Sequence, residues 1–164
     1  MWRIGSSVLV IALAAGLTGC TGSAGDAVGA PPEGATVVVG SGICTVTTVS
    51  DELVDGVDVI VERFECDDTM SDPRVTGRET LLITTRLDSS SGGTWSVPDA
   101  VLTTDGGTWR GQSQGVVDLT GAHPFAQGVV PFNYGESHYV GEGAYEGLEY
   151  HLYVSGSNEE AAVA

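Results

Sequence analysis

The three cysteines, Cys20, Cys44 and Cys66, are the residues of this chain with the most distinctive chemistry. Cys44 and Cys66 lie in two β-branched segments on either side of the turn dipeptide Asp55-Gly56. A hairpin centred on Asp55 pairs positions whose numbers sum to 110, and 44 + 66 = 110. Cross-strand partners lie about 4.5–5.5 Å apart, which a disulfide spans. The sequence therefore predicts a Cys44–Cys66 disulfide, formed in an oxidising compartment.

The surroundings of Cys20 point to a different use of its thiol. A short start with one positive charge, Arg3, is followed by an apolar run over residues 8–17, which ends in Leu17-Thr18-Gly19-Cys20. The run is shorter than the about 20 residues of a transmembrane helix and suits a signal peptide. Leu-Thr-Gly-Cys resembles the lipobox of bacterial lipoproteins, although an ordinary secretory signal with an incidental cysteine is the alternative. The resemblance implies cleavage before Cys20 and a diacylglycerol thioether on its sulfur.

Two histidines near the end of the chain, His138 and His151, stand close to several acidic residues, among them Glu149. A metal site would need two such imidazoles and a carboxylate to converge. Because their spacing matches no known ligand motif, we interpret them as neighbouring groups on the surface. The sequence predicts no catalytic residue, no metal site and no cofactor.

The tetrapeptide Gly-Gly-Thr-Trp occurs twice and ends at Trp95 and at Trp109. Each copy places a double-glycine turn before a strand that has an aromatic ring at its second position. The two rings either line a pocket or plug one end of the core, and we favour plugs because large aromatic side chains dominate cores. Trp95 and Trp109, together with Tyr145 and Tyr150, are the candidate ligand-binding residues.

The charge of the chain excludes several classes of partner. It has 22 acidic residues, all after Cys20, and six basic ones, of which five follow Cys20, so the mature part carries 5 − 22 = −17. Such a charge repels the phosphates of nucleic acids and the headgroups of anionic lipids. We expect no nucleic-acid binding and contact with a membrane through the lipid anchor alone.

The body of the chain is predicted to be all-β, because turn signals recur every 10 to 15 residues and no segment shows a clear helical period. About seven or eight antiparallel strands would form a single barrel, with a β-sandwich as the alternative. Glycines repeated within strands favour the barrel, since they relieve sharp bends. The predicted strands cover residues 42–50, 57–66, 75–87, 94–104, 108–119, 128–141 and 144–155.

One segment near the end of the chain resembles a known family. Gly141, Gly143, Tyr145 and Gly147 follow the pattern Gly-x-Gly-x-aromatic-x-Gly. This pattern is similar to the entry into the last strands of small secreted barrels of the allene oxide cyclase and dirigent type. The resemblance implies a barrel that cyclises or orients a hydrophobic ligand, and it assigns no catalytic residue here.

The predicted organisation has four parts: a signal peptide over residues 1–19, a disordered tether over 20–33, the β-domain over 34–156 and a frayed acidic tail over 157–164. The exported domain would be anchored on the outer face of the cell membrane, or face the periplasm in a Gram-negative cell. The favoured function is a non-enzymatic envelope lipoprotein that binds a small apolar ligand or a protein partner. An allene oxide cyclase-like enzyme acting on a hydrophobic substrate and a purely structural envelope protein are the alternatives.

Overall fold

The computed structural model describes residues 2–4, 9–15, 36–122 and 131–157. This part of the chain is almost entirely extended. One 3₁₀ turn, Pro73–Val75, joins the fourth strand to the fifth, and Asp72 caps it by accepting a hydrogen bond from the Arg74 amide. The strands are β1 (Trp2–Ile4), β2 (Leu9–Ala15), β3 (Thr36–Val54), β4 (Val57–Met70), β5 (Gly77–Ser89), β6 (Gly92–Thr103), β7 (Gly107–Asp118), β8 (Phe132–Gly143) and β9 (Leu148–Ser157).

Strands β3 to β9 form one antiparallel sheet in which chain order is also spatial order. Each strand pairs with the next one in the chain, so the predicted all-β fold is confirmed. Strand β4 is longer than the strand predicted over residues 57–66. Residues 67–70 continue β4, because their amides and carbonyls pair with the start of β3 and Asp67 and Asp68 also pair with β5.

The two ends of this seven-stranded sheet are joined through β2. In the part of the chain that the structure describes, β3 and β9 do not pair with each other, whereas Leu9–Ala15 pairs with both of them. The seven strands β3 to β9 by themselves form an open sheet, and the β2 segment that pairs with both of its ends lies inside the predicted signal peptide. The predicted tether falls outside the described residues, as does the predicted acidic tail except for Ser157. No helix among the described residues is long and apolar enough to cross a bilayer.

The β3–β4 hairpin carries the predicted disulfide. Asp55 and Gly56 both adopt positive φ angles, 54° and 82°, as a tight two-residue turn requires. That turn pairs positions that sum to 111, such as Val54 with Val57, and an extra residue between Thr48 and Ser50 shifts the sum to 110. Cys44 and Cys66 are then direct partners with their Cα atoms 4.0 Å apart, and the disulfide is confirmed. The bulge that corrects the register was not foreseen from the sequence.

Glycines on the inward face of the sheet make room for aromatic rings. A Cβ atom at Gly115 or at Gly135 would overlap the Trp95 indole, and one at Gly111 would overlap the Tyr139 ring. Gly107 meets the Tyr145 ring in the same way. These positions therefore accept rings against bare backbone.

Candidate functional site

A cavity of about 380 Å³ lies on the inward face of the sheet. All seven strands from β3 to β9 contribute to its lining, so the sheet curls around it. A volume of this size falls in the range of small-molecule sites. Most of the lining is apolar, with branched side chains from β4 and β5 and aromatic rings from β4, β6, β8 and β9. The principal apolar residues are Ile60, Phe64, Leu81, Ile83, Leu87, Trp95, Val97, Leu102, Val117, Tyr139, Tyr150 and Leu152.

Three carboxyl groups interrupt this apolar lining. Glu62 and Asp68 lie on β4 at the same strand parity as Ile60 and Phe64, and Glu79 lies on β5 at the parity of its apolar neighbours. Strand alternation therefore turns these three acids inward with the hydrophobic residues. Their side chains keep some accessible surface because that surface faces the cavity.

Glu79 is the most deeply placed of the three acids. The Tyr139 hydroxyl donates a hydrogen bond to its Oε1. Burial and the neighbouring negative charge of Asp68 raise the pKa of Glu79 to about 8, against the lowering effect of the Tyr139 hydrogen bond. Burial is also the main cause that raises the pKa of Asp68 to about 6, and Asp67 adds to it. Around neutral pH the Asp68–Glu79 pair therefore holds one proton and one negative charge.

Two further hydroxyl-bearing side chains lie beside the Tyr139 hydroxyl and affect its environment, Ser113 on β7 and Tyr150 on β9. Burial raises the pKa of both tyrosines well above the usual value, and the Glu79 charge adds to this effect. Both phenols consequently stay protonated and act as hydrogen-bond donors at physiological pH.

Two of the four aromatic candidates from the sequence line the cavity, and two lie behind it. Trp95 and Tyr150 are part of the lining, whereas Trp109 and Tyr145 are not. Trp109 is fully buried, stacks on Tyr145 with ring centroids 4.9 Å apart, and meets Tyr150 edge-on at 5.0 Å. Its Nε1 donates to the Arg74 carbonyl oxygen at 2.7 Å. Trp109 therefore acts as a plug under the cavity, as the favoured interpretation held, and Trp95 belongs to the pocket.

We call Trp109, Tyr139, Tyr145 and Tyr150 the aromatic floor. Tyr139 and Tyr150 stack with centroids 4.4 Å apart, and both line the cavity. Tyr145 is held from the other side by its hydroxyl, 2.8 Å from Thr104 Oγ1. This packing holds the two phenols that face the carboxyl pair in defined positions.

The two histidines lie on the other face of the sheet, away from the cavity. His138 and His151 are direct cross-strand partners on β8 and β9, and their rings stack with centroids 4.4 Å apart. His138 Nε2 lies 3.1 Å from Glu149 Oε2. Burial and the neighbouring His138 lower the pKa of His151. The predicted surface neighbours are thus brought into direct contact. His123 lies outside the described residues.

Sequence reasoning missed Glu79, Asp68 and Tyr139, which form the polar part of the cavity. The signal was present in strand parity, since an acid at 79 shares its face with Leu81, Ile83 and Leu87. A carboxylate on the apolar face of a strand is rarely left without a function or a partner.

Comparisons of the chain with protein-family models, with curated proteins and with solved structures found no match.

Proposed function

We propose that this chain is an exported lipoprotein, anchored through Cys20, whose β-domain binds a small apolar molecule in the cavity lined by β3 to β9. The cavity itself is the observation that supports the proposal, since it combines an apolar lining with a few convergent polar groups. A purely structural domain of this size would gain stability by filling such a space with side chains. The lipobox-like Leu17-Thr18-Gly19-Cys20 supports the anchor.

Ligand binding is tested with an uncharged probe whose fluorescence rises in apolar surroundings, N-phenyl-1-naphthylamine. The protein is purified as the cell processes it and placed in lipid nanodiscs, with empty nanodiscs as the reference. We expect saturable 1:1 binding. Thr85 lines the cavity and Thr84 is its neighbour on the opposite face of β5, so Thr85→Trp should abolish the signal while Thr84→Trp retains it. Equal binding by both variants would contradict a site in the cavity.

The anchor is tested separately. Cells that express the wild-type chain should incorporate labelled fatty acid into the protein, and Cys20→Ala should abolish the label. Labelling that persists in this variant would refute lipidation at Cys20.

A second candidate function is catalysis on a hydrophobic substrate by acid–base chemistry. The observation that favours it is the Asp68–Glu79 pair, in which a carboxylate and a carboxylic acid coexist near neutral pH inside an apolar cavity. Such a pair can take a proton from one carbon of a bound molecule and return it to another, which is an isomerisation. Incubation of candidate ketone ligands in D₂O tests this function, because enzyme-dependent deuterium uptake that Glu79→Gln removes would demonstrate it.

A further inference from the structure

All the charged side chains among the described residues that line the cavity are acidic. Glu62, Asp68 and Glu79 face the cavity, and none of its described lining residues is Arg, Lys or His. The arginines of the same two strands, Arg63 on β4 and Arg78 and Arg86 on β5, are exposed at positions of the opposite parity. A carboxylate or phosphate group of a ligand would therefore enter an acidic, water-poor space with no cation to pair with.

The aromatic rings of the lining add to this preference. Phe64, Trp95, Tyr139 and Tyr150 all contribute surface to the cavity. The face of an aromatic ring attracts a cation, and the attraction is strongest where water is excluded. The acidic groups and the ring faces thus both favour a cationic group on the ligand.

We infer that the cavity selects an apolar molecule with one basic nitrogen, whose ammonium group lies among the carboxyl groups of Asp68 and Glu79 and the rings of Tyr139 and Tyr150. This inference rests on the proposed function and specifies its ligand class. In the described contacts, the Tyr139 hydroxyl donates to Oε1 of Glu79. The other oxygen, Oε2, would therefore accept the hydrogen bond from the ammonium group of the ligand. The rest of the ligand would contact Ile83, Leu87 and Val97.

Binding of such a cation favours the fully ionised pair, so affinity should rise with pH. The titratable groups that face the pair are Glu62 on β4, Tyr139 on β8 and Tyr150 on β9, and Asp67 acts on Asp68 from the outer face. Strand β3 contributes Cys44, which is held in the disulfide, while β6 and β7 contribute apolar groups and Ser113. We expect the affinity for an amine to increase between pH 5 and about 8, as Asp68 and Glu79 lose their protons.

Three probes of nearly equal shape test the inference: 1-naphthylmethylamine, 1-naphthylmethanol and 1-naphthoate. Their dissociation constants are measured by calorimetry at pH 7 with the nanodisc-embedded protein. We expect the amine to bind at least about tenfold more tightly than the alcohol, and the carboxylate to bind more weakly than both. Asp68→Asn with Glu79→Gln should bring the amine-to-alcohol ratio close to one. Glu65→Gln, an exposed carboxylate on the outer face of β4, is the matched control and should leave the ratio unchanged.

The outcomes separate this inference from the proposed function. Equal binding of amine and alcohol, or tighter binding of the carboxylate, would overturn the charge preference while ligand binding in the cavity stands. Failure of all three probes and of N-phenyl-1-naphthylamine would overturn both. The wild-type ratio and its pH dependence decide the question even if the double variant does not fold.

A second inference comes from the opposite face of the sheet and is independent of the cavity. His138, Glu149 and His151 each offer a ligand atom, and these atoms lie within 4.8 Å of one another. Two metal–nitrogen bonds in a tetrahedral site place their donor atoms about 3.3 Å apart. Because the three side chains are partly exposed and their strands are locked in register, small side-chain rotations suffice to reach that separation.

We propose that His138, Glu149 and His151 bind a divalent transition metal of the zinc class, with water in the remaining position. Calorimetry with Zn²⁺ alone should show one site per chain. His151→Gln should weaken it at least tenfold, and His123→Gln, which alters the third histidine of the chain, should leave it unchanged. Absence of zinc binding by the wild type, or equal binding by His151→Gln, would overturn this proposal.

Discussion

The wall of the cavity on β4 and β5 differs from the aromatic floor in the size of its inward side chains. Both regions follow the same alternation of inward and outward residues along their strands. On the wall, the inward positions carry side chains of medium size that leave space in front of them. At the floor, Gly111 lets the Tyr139 ring press against backbone, and Gly107 does the same for the Tyr145 ring. The size of the space inside this sheet therefore depends on the positions at which an aromatic ring packs against a glycine. The disulfide joins β4, one strand of this wall, covalently to β3.

The largest effect should follow from removing the plug of the floor. Trp109→Ala should lower the free energy of unfolding by about 3–5 kcal/mol, because a fully buried indole and its hydrogen bond to Arg74 are lost. Ile83→Ala on the wall should cost less, about 2 kcal/mol, the low end for such a truncation, because this side chain already borders empty space. Urea denaturation followed by circular dichroism measures both. Equal losses would show that floor and wall do not differ in packing.

Loss of the disulfide should come next and act on the wall. Cys44→Ala with Cys66→Ala should lower the free energy of unfolding by roughly 3 kcal/mol, the chain-entropy value for a loop of this length. Comparison of the double variant with the wild type under oxidising conditions measures the effect. A loss below about 1 kcal/mol would mean that the ladder between β3 and β4 holds the wall without the covalent link.

The buried carboxyl pair should make the stability of the wall depend on pH. The folded-state pKa values of Asp68 and Glu79 lie above their unfolded values, so the folded state binds more protons. Their stabilising contribution is therefore fully present below about pH 4 and is lost as the pH rises to about 8. Glu79→Gln should raise stability at pH 8 by about 1–3 kcal/mol and flatten the decline between pH 6 and 8. Denaturation of the wild type and of Glu79→Gln at several pH values measures this difference. If stability declines equally with pH in both proteins, groups other than Glu79 cause the decline.

The smallest effect should come from an ion pair outside both regions. Arg110 Nε lies 3.1 Å from Glu142 Oε1 on the exposed face, and both side chains are about half exposed. Arg110→Gln should lower the free energy of unfolding by less than about 1 kcal/mol, and the difference should shrink in 1 M salt. A larger loss of stability that salt does not reduce would show that the outer face of the sheet also contributes substantially to the free energy of unfolding.

Local pattern was sufficient to predict the all-β class, most strand positions and the Cys44–Cys66 disulfide, because strand alternation and turn chemistry act over a few residues. The register of the β3–β4 hairpin shows the limit of that reasoning. Its Asp55-Gly56 turn could be recognised from the two residue types, whereas the bulge between Thr48 and Ser50 arises from pairing along the whole hairpin.

The sequence by itself determined the apolar face of each strand, the acidic charge of the chain, the cysteine pairing and the lipobox-like segment before Cys20. Only the tertiary structure decided that Trp109 is a plug while Trp95 lines a cavity, although both end the same tetrapeptide. It also brought Asp68, Glu79 and Tyr139 together from β4, β5 and β8. The physical reason is that Tyr139 on β8 reaches Glu79 on β5 from 60 positions away in the chain, and the space inside the sheet depends on how closely rings and backbone approach across it.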